Sequence, residues 1–190
     1  MVSLLRQALG LLAVLIFLTG LVYPIAVTGI SQMIFPAQAN GSLIVKEGRT
    51  VGSALVGQFF DAPGYFWGRP SATPGWAYNA SASSGSNLGQ ANPILHESVN
   101  FRLTLLRTSN PDQDLPVPID LVTASASGLD PHISLEAATY QVRRVARERH
   151  LDEARLYALI ETHLEKRTFG LLGEPRVNVL QLNLALDDLQ

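Results

Sequence analysis

The sequence predicts an α+β protein: one N-terminal transmembrane helix followed by a single extracytoplasmic domain of mixed α/β character. Three observations predict it. Residues 7–45 contain no Asp, Glu, Lys or Arg. The chain beyond them alternates short β-type runs with stretches of helical period. The basic flank of the apolar run lies before it, on the side that favours the cytoplasm.

Ala8 to Phe35 is dominated by Leu, Val, Ile, Ala, Phe and Gly, and its polar members (Thr19, Tyr23, Thr28, Ser31, Gln32) are uncharged. At about 1.5 Å per residue this run reaches roughly 42 Å as a helix, and about 20 residues suffice to cross a bilayer core. Pro24 is tolerated as a kink in a packed membrane helix, and Pro36 marks the end. A signal peptide competes, because Ala37-Gln38-Ala39 has the small-residue form of a cleavage site, but a signal core is only about 7–15 residues long. A buried helix of a soluble protein would be apolar on one face, and this run is apolar all round.

The expected organisation is therefore a cytoplasmic N-terminus at 1–6, a transmembrane helix at 7–36 and a soluble accessory domain at 37–190. Orientation rests on the amino terminus and Arg6, since the next basic residue is Lys46. In a Gram-negative bacterium this places the helix in the inner membrane, single-pass, and the domain in the periplasm.

About 150 residues beyond the membrane suffice for one domain with a substantial core. Arg6 is the only charge before Lys46, so the domain holds 13 basic and 16 acidic residues, a net charge near −3. That balance argues against nucleic acid, which needs a clustered basic face. No cysteine is present, so neither a disulfide framework nor thiolate chemistry is available.

In the domain, Leu43–Val45 and Arg49–Val51 predict two strands turned at Glu47-Gly48. Ser53 is positioned to cap a short helix through Phe60, with Leu55, Val56, Phe59 and Phe60 inward. From Asp61 to Gln90 six Gly and Pro residues between 63 and 75 forbid a long regular element. Tyr65, Phe66, Trp67, Trp76 and Tyr78 make that stretch too aromatic for a floppy linker. Asn79 to Gly89, NASASSGSNLG, fits either a flexible Ser/Gly linker or a backbone-rich docking loop.

Asn92-Pro93 starts a helix to about Arg107, although Phe101, Leu103 and Leu105 also alternate as in a strand. Asn110 to Pro118 is a polar turn. Ile119 to Thr123 predicts a short buried strand. Ser134 caps a helix with Leu135, Ala138, Val142 and Val145 inward and Arg143, Arg144, Arg147 and Arg149 mostly outward. After a break at His150-Leu151, Asp152 caps a second helix to about Arg167, with Leu156, Leu159, Ile160 and Leu164 as its stripe. The two should pack as an antiparallel pair. A Gly-rich turn, 169–175, leads to Val179–Leu189, where a capping-box pattern at Asn178–Gln181 favours helix and the Leu182, Leu184, Leu186 spacing also fits a strand.

No self-sufficient active site emerges. Asp130 and His132 sit beside many serines, but neither G-x-S-x-G nor S-x-x-K is present. His96, His132, His150 and His163 show no zinc-binding spacing. Gly170–Glu174 lacks the Lys-Ser/Thr of a phosphate loop. An anchored hydrolase and an anchored periplasmic ligand-binding domain remain alternatives to an accessory domain.

Four runs carry a resemblance: Gly68-Arg69-Pro70-Ser71, YNASASSGSNLG at 78–89, DLVTASASGLDPHIS at 120–134 and GEPRVNVLQLNLALD at 173–187. With the amino-terminal helix they cover nearly the whole chain, and the chain resembles the KdpC family, the C subunits of bacterial Kdp potassium-transporting P-type ATPases. The resemblance implies a non-catalytic accessory subunit beside three partners: a channel-like potassium-binding subunit, an ATP-hydrolysing P-type subunit and a small single-helix subunit. It also implies a catalytic chaperone that raises the ATP affinity of the hydrolysing subunit.

ATP and potassium would be handled by the complex, with no catalytic residue, metal ligand or bound cofactor expected here. Expected contacts are membrane lipid around the helix and two loops of the domain. In the first, 65–89, the candidates are Trp67, Arg69, Tyr78, Asn79, Ser81, Ser83, Ser86 and Asn87. In the second, 120–134, they are Ser125, Ser127, Asp130 and His132. Glu174, Arg176 and Asn178 either touch partners or knit the domain.

Overall fold

A computed structural model describes residues 2–189; the two chain ends, Met1 of the expected cytoplasmic segment and Gln190 of the expected soluble domain, lie outside them. The chain divides into two units, residues 1–44 and 45–190.

In the first unit, α1 (Val2–Phe17) and α2 (Tyr23–Ile34) are joined by a π-helical turn, Leu18–Val22. Together they form one helix, Val2–Ile34, long and apolar enough to cross a membrane. Pro24 has no N–H to give the carbonyl four residues back, and its ring crowds that carbonyl. The wider turn absorbs the defect, as the Tyr23 N–H bonds Leu18 O and the Thr19 hydroxyl donates to Leu15 O at 2.7 Å. A π-turn is one of the few ways such a helix takes up a proline. Phe35, at φ −132° and ψ 56°, leaves the helical region ahead of Pro36, where the proline ring disfavours helical backbone, and ends the helix. A single turn, α3 (Pro36–Ala39), follows.

The strands β1 (Leu43–Lys46) and β2 (Arg49–Ser53) pair as a hairpin. Glu47 and Gly48 both take positive φ, 52° and 75°, the turn whose twist matches paired strands. Three further strands, β3 (His132–Ser134), β4 (Leu164–Glu165) and β5 (Arg176–Asn178), make an antiparallel sheet in the order β3-β5-β4. Its register sets Ile133 and Leu164 opposite Val177.

Four helices complete the domain: α4 (Pro93–Ser109), α5 (Leu135–Arg149), α6 (Glu153–Thr162) and α7 (Val179–Asp187). Each begins on an expected polar cap: Asn92, Ser134, Asp152 and Asn178 accept N–H bonds from Ile94, Ala137, Ala154 and Gln181. The ambiguous segment 101–105 is thus helical, and 179–189 is helical as far as Asp187, with a turn at 188–189. Helices α5 and α6 pack together across a turn in which His150 is left-handed, φ 54°. The core gathers Ala138, Val142 and Val145 of α5, Leu156 and Ile160 of α6, Leu182 and Leu186 of α7, and Phe66 and Trp67 of the irregular stretch.

Four expectations are corrected. Ser53–Phe60 is not a helix, and Leu55 and Phe59 are exposed. The Gly57 N–H is taken instead by Leu129 O at 2.8 Å, and a long-range bond of this kind outweighs local helix propensity. Ile119–Leu121 is a 3₁₀ turn rather than a strand; the Asp120 carboxylate there accepts from the Ser134 N–H at 2.7 Å and hydroxyl at 3.2 Å. Helix α6 stops at Thr162, and Leu164 enters a strand paired with Val177.

The fourth correction is Arg144, which is 1% exposed and lies in the core. Its guanidinium sits 4.0 Å from the Trp67 ring centroid. It donates to Pro63 O, to Tyr65 O at 3.0 Å and to the Gln141 side chain at 2.7 Å. Burial, opposed in part by the Glu148 carboxylate, lowers its pKa to about 10, so the group remains charged at neutral pH. The arginine is thus a clamp on the irregular loop rather than part of a solvated face.

Candidate functional site

Residues 57–91 contain no helix or strand, yet they are fixed by side chains from the regular elements. Two amides act as substitute strands. Asn183 of α7 accepts from the Phe66 N–H and donates to the Phe66 carbonyl, both at 2.9 Å. Gln141 of α5 accepts from the Trp67 N–H at 2.7 Å and donates to the Trp67 carbonyl at 3.1 Å. Consecutive buried peptide groups are thereby satisfied without a sheet. Arg102 of α4 donates to Gly68 O and Leu121 O, each at 3.1 Å, and so ties the first loop to the second.

The two loops then interlock. The Ser71 hydroxyl donates to Gly128 O at 2.7 Å and accepts from the Tyr78 N–H at 2.9 Å. Ser83 Oγ and the Ser84 N–H both donate to Ser127 O at 3.0 Å. Gly128, at φ 67°, lies so close to the first loop that a Cβ would stand 2.6 Å from Ser84 O. Tyr78 fills the space that two other glycines leave, since a Cβ on Gly57 would fall 2.4 Å from its ring and one on Gly68 2.6 Å from its hydroxyl. That hydroxyl donates to Arg69 O at 2.7 Å, and burial above all pushes its pKa up to about 12. It stays a neutral donor.

A line of ionisable side chains leaves the interlock. Arg69 Nη1 meets Asp130 Oδ2 at 3.2 Å, and Asp130 Oδ1 accepts from the His132 N–H at 3.0 Å. His132 stands between two carboxylates, with Nδ1 3.5 Å from Asp130 and Nε2 3.4 Å from Glu165, and Glu165 pairs with Arg176 at 2.9 Å. Burial pushes the Asp130 carboxyl up, but His132 and Arg69 outweigh it, so its pKa lies below the usual carboxylate value. Asp130, His132, Arg69, Asp120 and Arg176 border an open cleft of about 530 Å³. A serine relay needs an imidazole nitrogen facing a hydroxyl, and both nitrogens of His132 face carboxylates.

Among the residues singled out from sequence, Trp67 and Asn79 are buried. Asn79 folds the loop on itself, accepting from the Ser81 N–H and hydroxyl at 3.1 and 2.6 Å and donating to Pro74 O at 3.0 Å. Ser125 Oγ accepts from the Gly128 N–H at 2.9 Å and Ser127 Oγ from the Leu129 N–H at 3.1 Å. Ser86 and Asn87 are exposed. Ser86 borders a groove of about 610 Å³ formed with Pro70, Leu88, Leu95, Phe101 and Ala124. Phe59 and Phe101 stand exposed on its walls. Away from the loops, Glu174 pairs with Arg167, and Asn178 caps α7 while donating to Ala54 O at 2.9 Å.

Ser71 and Asn183 lay within the runs that carry the resemblance without being named as contacts, and Arg102 and Gln141 were not singled out by sequence. For Gln141 a signal exists: it lies three residues after Ala138 and four before Val145, on the inward face of α5, where a polar residue needs a buried partner.

Residues 5–188 match the family described as KdpC: K+-transporting ATPase, c chain. A "Potassium-transporting ATPase KdpC subunit" of Dechloromonas aromatica is 60% identical over 187 residues, which cover 98% of each chain. A protein of the same description from Methylibium petroleiphilum is 58% identical over 187 residues, again 98% of each. One from Burkholderia mallei is 58% identical over 190 residues, all of this chain and 98% of the relative.

Proposed function

Since the chain belongs to the KdpC family, the c chains of K+-transporting ATPases, we propose that it is a non-catalytic accessory subunit that docks through its two interlocked loops. The helix Val2–Ile34 anchors it in the inner membrane, with the N-terminus in the cytoplasm and the domain in the periplasm. Its principal partner is the channel-like potassium-binding subunit, in a complex that also holds the ATP-hydrolysing subunit and a small single-helix subunit. ATP is cytoplasmic and this domain is not, so a rise in ATP affinity is transmitted through the complex rather than by direct contact with nucleotide.

The observation that supports this reading is the interlock itself. A stretch without regular structure is held rigid by Arg102, Gln141, Arg144 and Asn183, and its outer rim carries small side chains and exposed aromatic rings. Ordered loops on a rigid support are where partners are contacted, and a preorganised surface loses little entropy on docking. Purification in mild detergent through a tag after Gln190, from potassium-starved cells, tests it. Co-elution with a P-type ATPase and a large channel-like protein is expected; elution alone would refute the assignment.

A further inference from the structure

The exposed apolar side chains of the soluble unit include a compact set at the end of the β4–β5 hairpin. Phe169 is 90% exposed, Leu171 79% and Leu172 64%. Scattered surface leucines need no explanation, but clustered ones mark a contact. The tip is ordered: the Thr168 N–H donates to Leu172 O at 2.9 Å and the Leu172 N–H to Thr168 O at 3.0 Å. Cross-strand ion pairs, Arg167 with Glu174 and Glu165 with Arg176, hold its base. Residues 169–172, Phe-Gly-Leu-Leu, bring no side-chain hydrogen-bonding group, so the tip suits an apolar medium and not a polar surface.

We propose that this tip inserts into the lipid–water interface of the membrane that anchors the chain, on the leaflet facing the soluble unit. Two observations choose lipid as the occupant. Ten residues, 35–44, join the membrane helix to the second unit, a tether of at most about 35 Å that keeps a bilayer surface within reach. Lys166, exposed and without an ion pair among the described residues, stands beside the apolar tip with Arg167. An aromatic and two leucines beside that lysine suit insertion to headgroup depth, with the Lys166 ammonium toward phosphate and Arg167 held by Glu174. The inference rests on anchoring and is independent of docking to other subunits.

The chain has no cysteine, so one introduced thiol reports one place. The full chain carrying Leu171→Cys, labelled with an environment-sensitive fluorophore, is reconstituted alone into phosphatidylethanolamine/phosphatidylglycerol vesicles. Arg155→Cys, exposed on α6, is the control. The expected result is blue-shifted emission at 171, quenched by lipids brominated near the headgroup, with neither effect at 155. Phe169→Asp in the Leu171→Cys chain should abolish the quenching and leave the thermal melt unchanged. Emission at 171 as water-like as at 155 would overturn the proposal. So would a shift that requires the other subunits in the vesicle, which would make the tip a protein contact.

Discussion

Replacing Asn183 by Leu isolates what holds the irregular loop. The asparagine side chain is 1% exposed as part of a buried residue and serves both polar groups of Phe66, itself fully buried, at 2.9 Å each. Leucine is close in volume, so no large cavity forms, but the Phe66 N–H and C=O lose their partners together. Each buried group left unsatisfied costs about 1–3 kcal/mol. The more favourable burial of leucine offsets about 1–2 kcal/mol of that. At the centre of these ranges the net expectation is a loss of about 2.5 kcal/mol. Urea unfolding of the full chain in micelles, followed by tryptophan emission, reads it as a lower midpoint at unchanged slope. Hydrogen exchange at the Phe66 amide should quicken by roughly a hundredfold, since about 1.4 kcal/mol corresponds to tenfold. A shift below about 0.5 kcal/mol with Phe66 still protected would show that the Asn183 amide does not hold the loop. Packing of Phe66 and Trp67 alone would then hold the loop.

Three further outcomes follow from single contacts. Gly128→Ala places a side chain at φ 67° and a Cβ 2.6 Å from Ser84 O; left-handed backbone alone costs about 1–2 kcal/mol, so the midpoint should fall by at least that much and co-purification with partner subunits should be lost. Retained co-purification would separate the interlock from assembly. Asp130 has a folded pKa below its unfolded value, so its contribution is complete above about pH 4 and is lost as pH falls through the folded value. The stability gap between wild type and Asp130→Asn should therefore be present at pH 7 and close below pH ~4; a gap that widens in acid contradicts the assigned pairing. Ser134→Ala removes the cap on α5 and the bond to Asp120 and should cost about 1 kcal/mol in the same urea assay.

Elements governed by local chemistry were legible in the sequence. The apolar run, the Glu47-Gly48 turn and the four helix caps follow from composition and residue type within a few positions. Ser53–Phe60 and Ile119–Thr123 were not, because tertiary bonds decide them: the Gly57 N–H reaches Leu129, and Asp120 reaches Ser134. Leu164 carries a helical spacing but pairs with Val177, thirteen residues on. Arg144 misleads for another reason. A run of arginines suggests a solvated face, and only the distant Pro63–Trp67 segment supplies the carbonyls and ring that make burial tolerable. Within the candidate site, the loops 65–89 and 120–134 were recognisable as a pair of unusual stretches. Their interlock through Ser71 and Gly128 depends on a meeting of residues 57 positions apart, which no local pattern encodes.

Site-directed cross-linking shows which subunit the two loops touch. A photoreactive group on a cysteine introduced at Ser86, at the rim of the groove, is activated in the assembled complex from potassium-starved cells. A product with the channel-like subunit is expected, and none from the same group at Arg155 on α6. A product with the ATP-hydrolysing subunit alone, or no product from a complex that has assembled, would contradict docking through these loops.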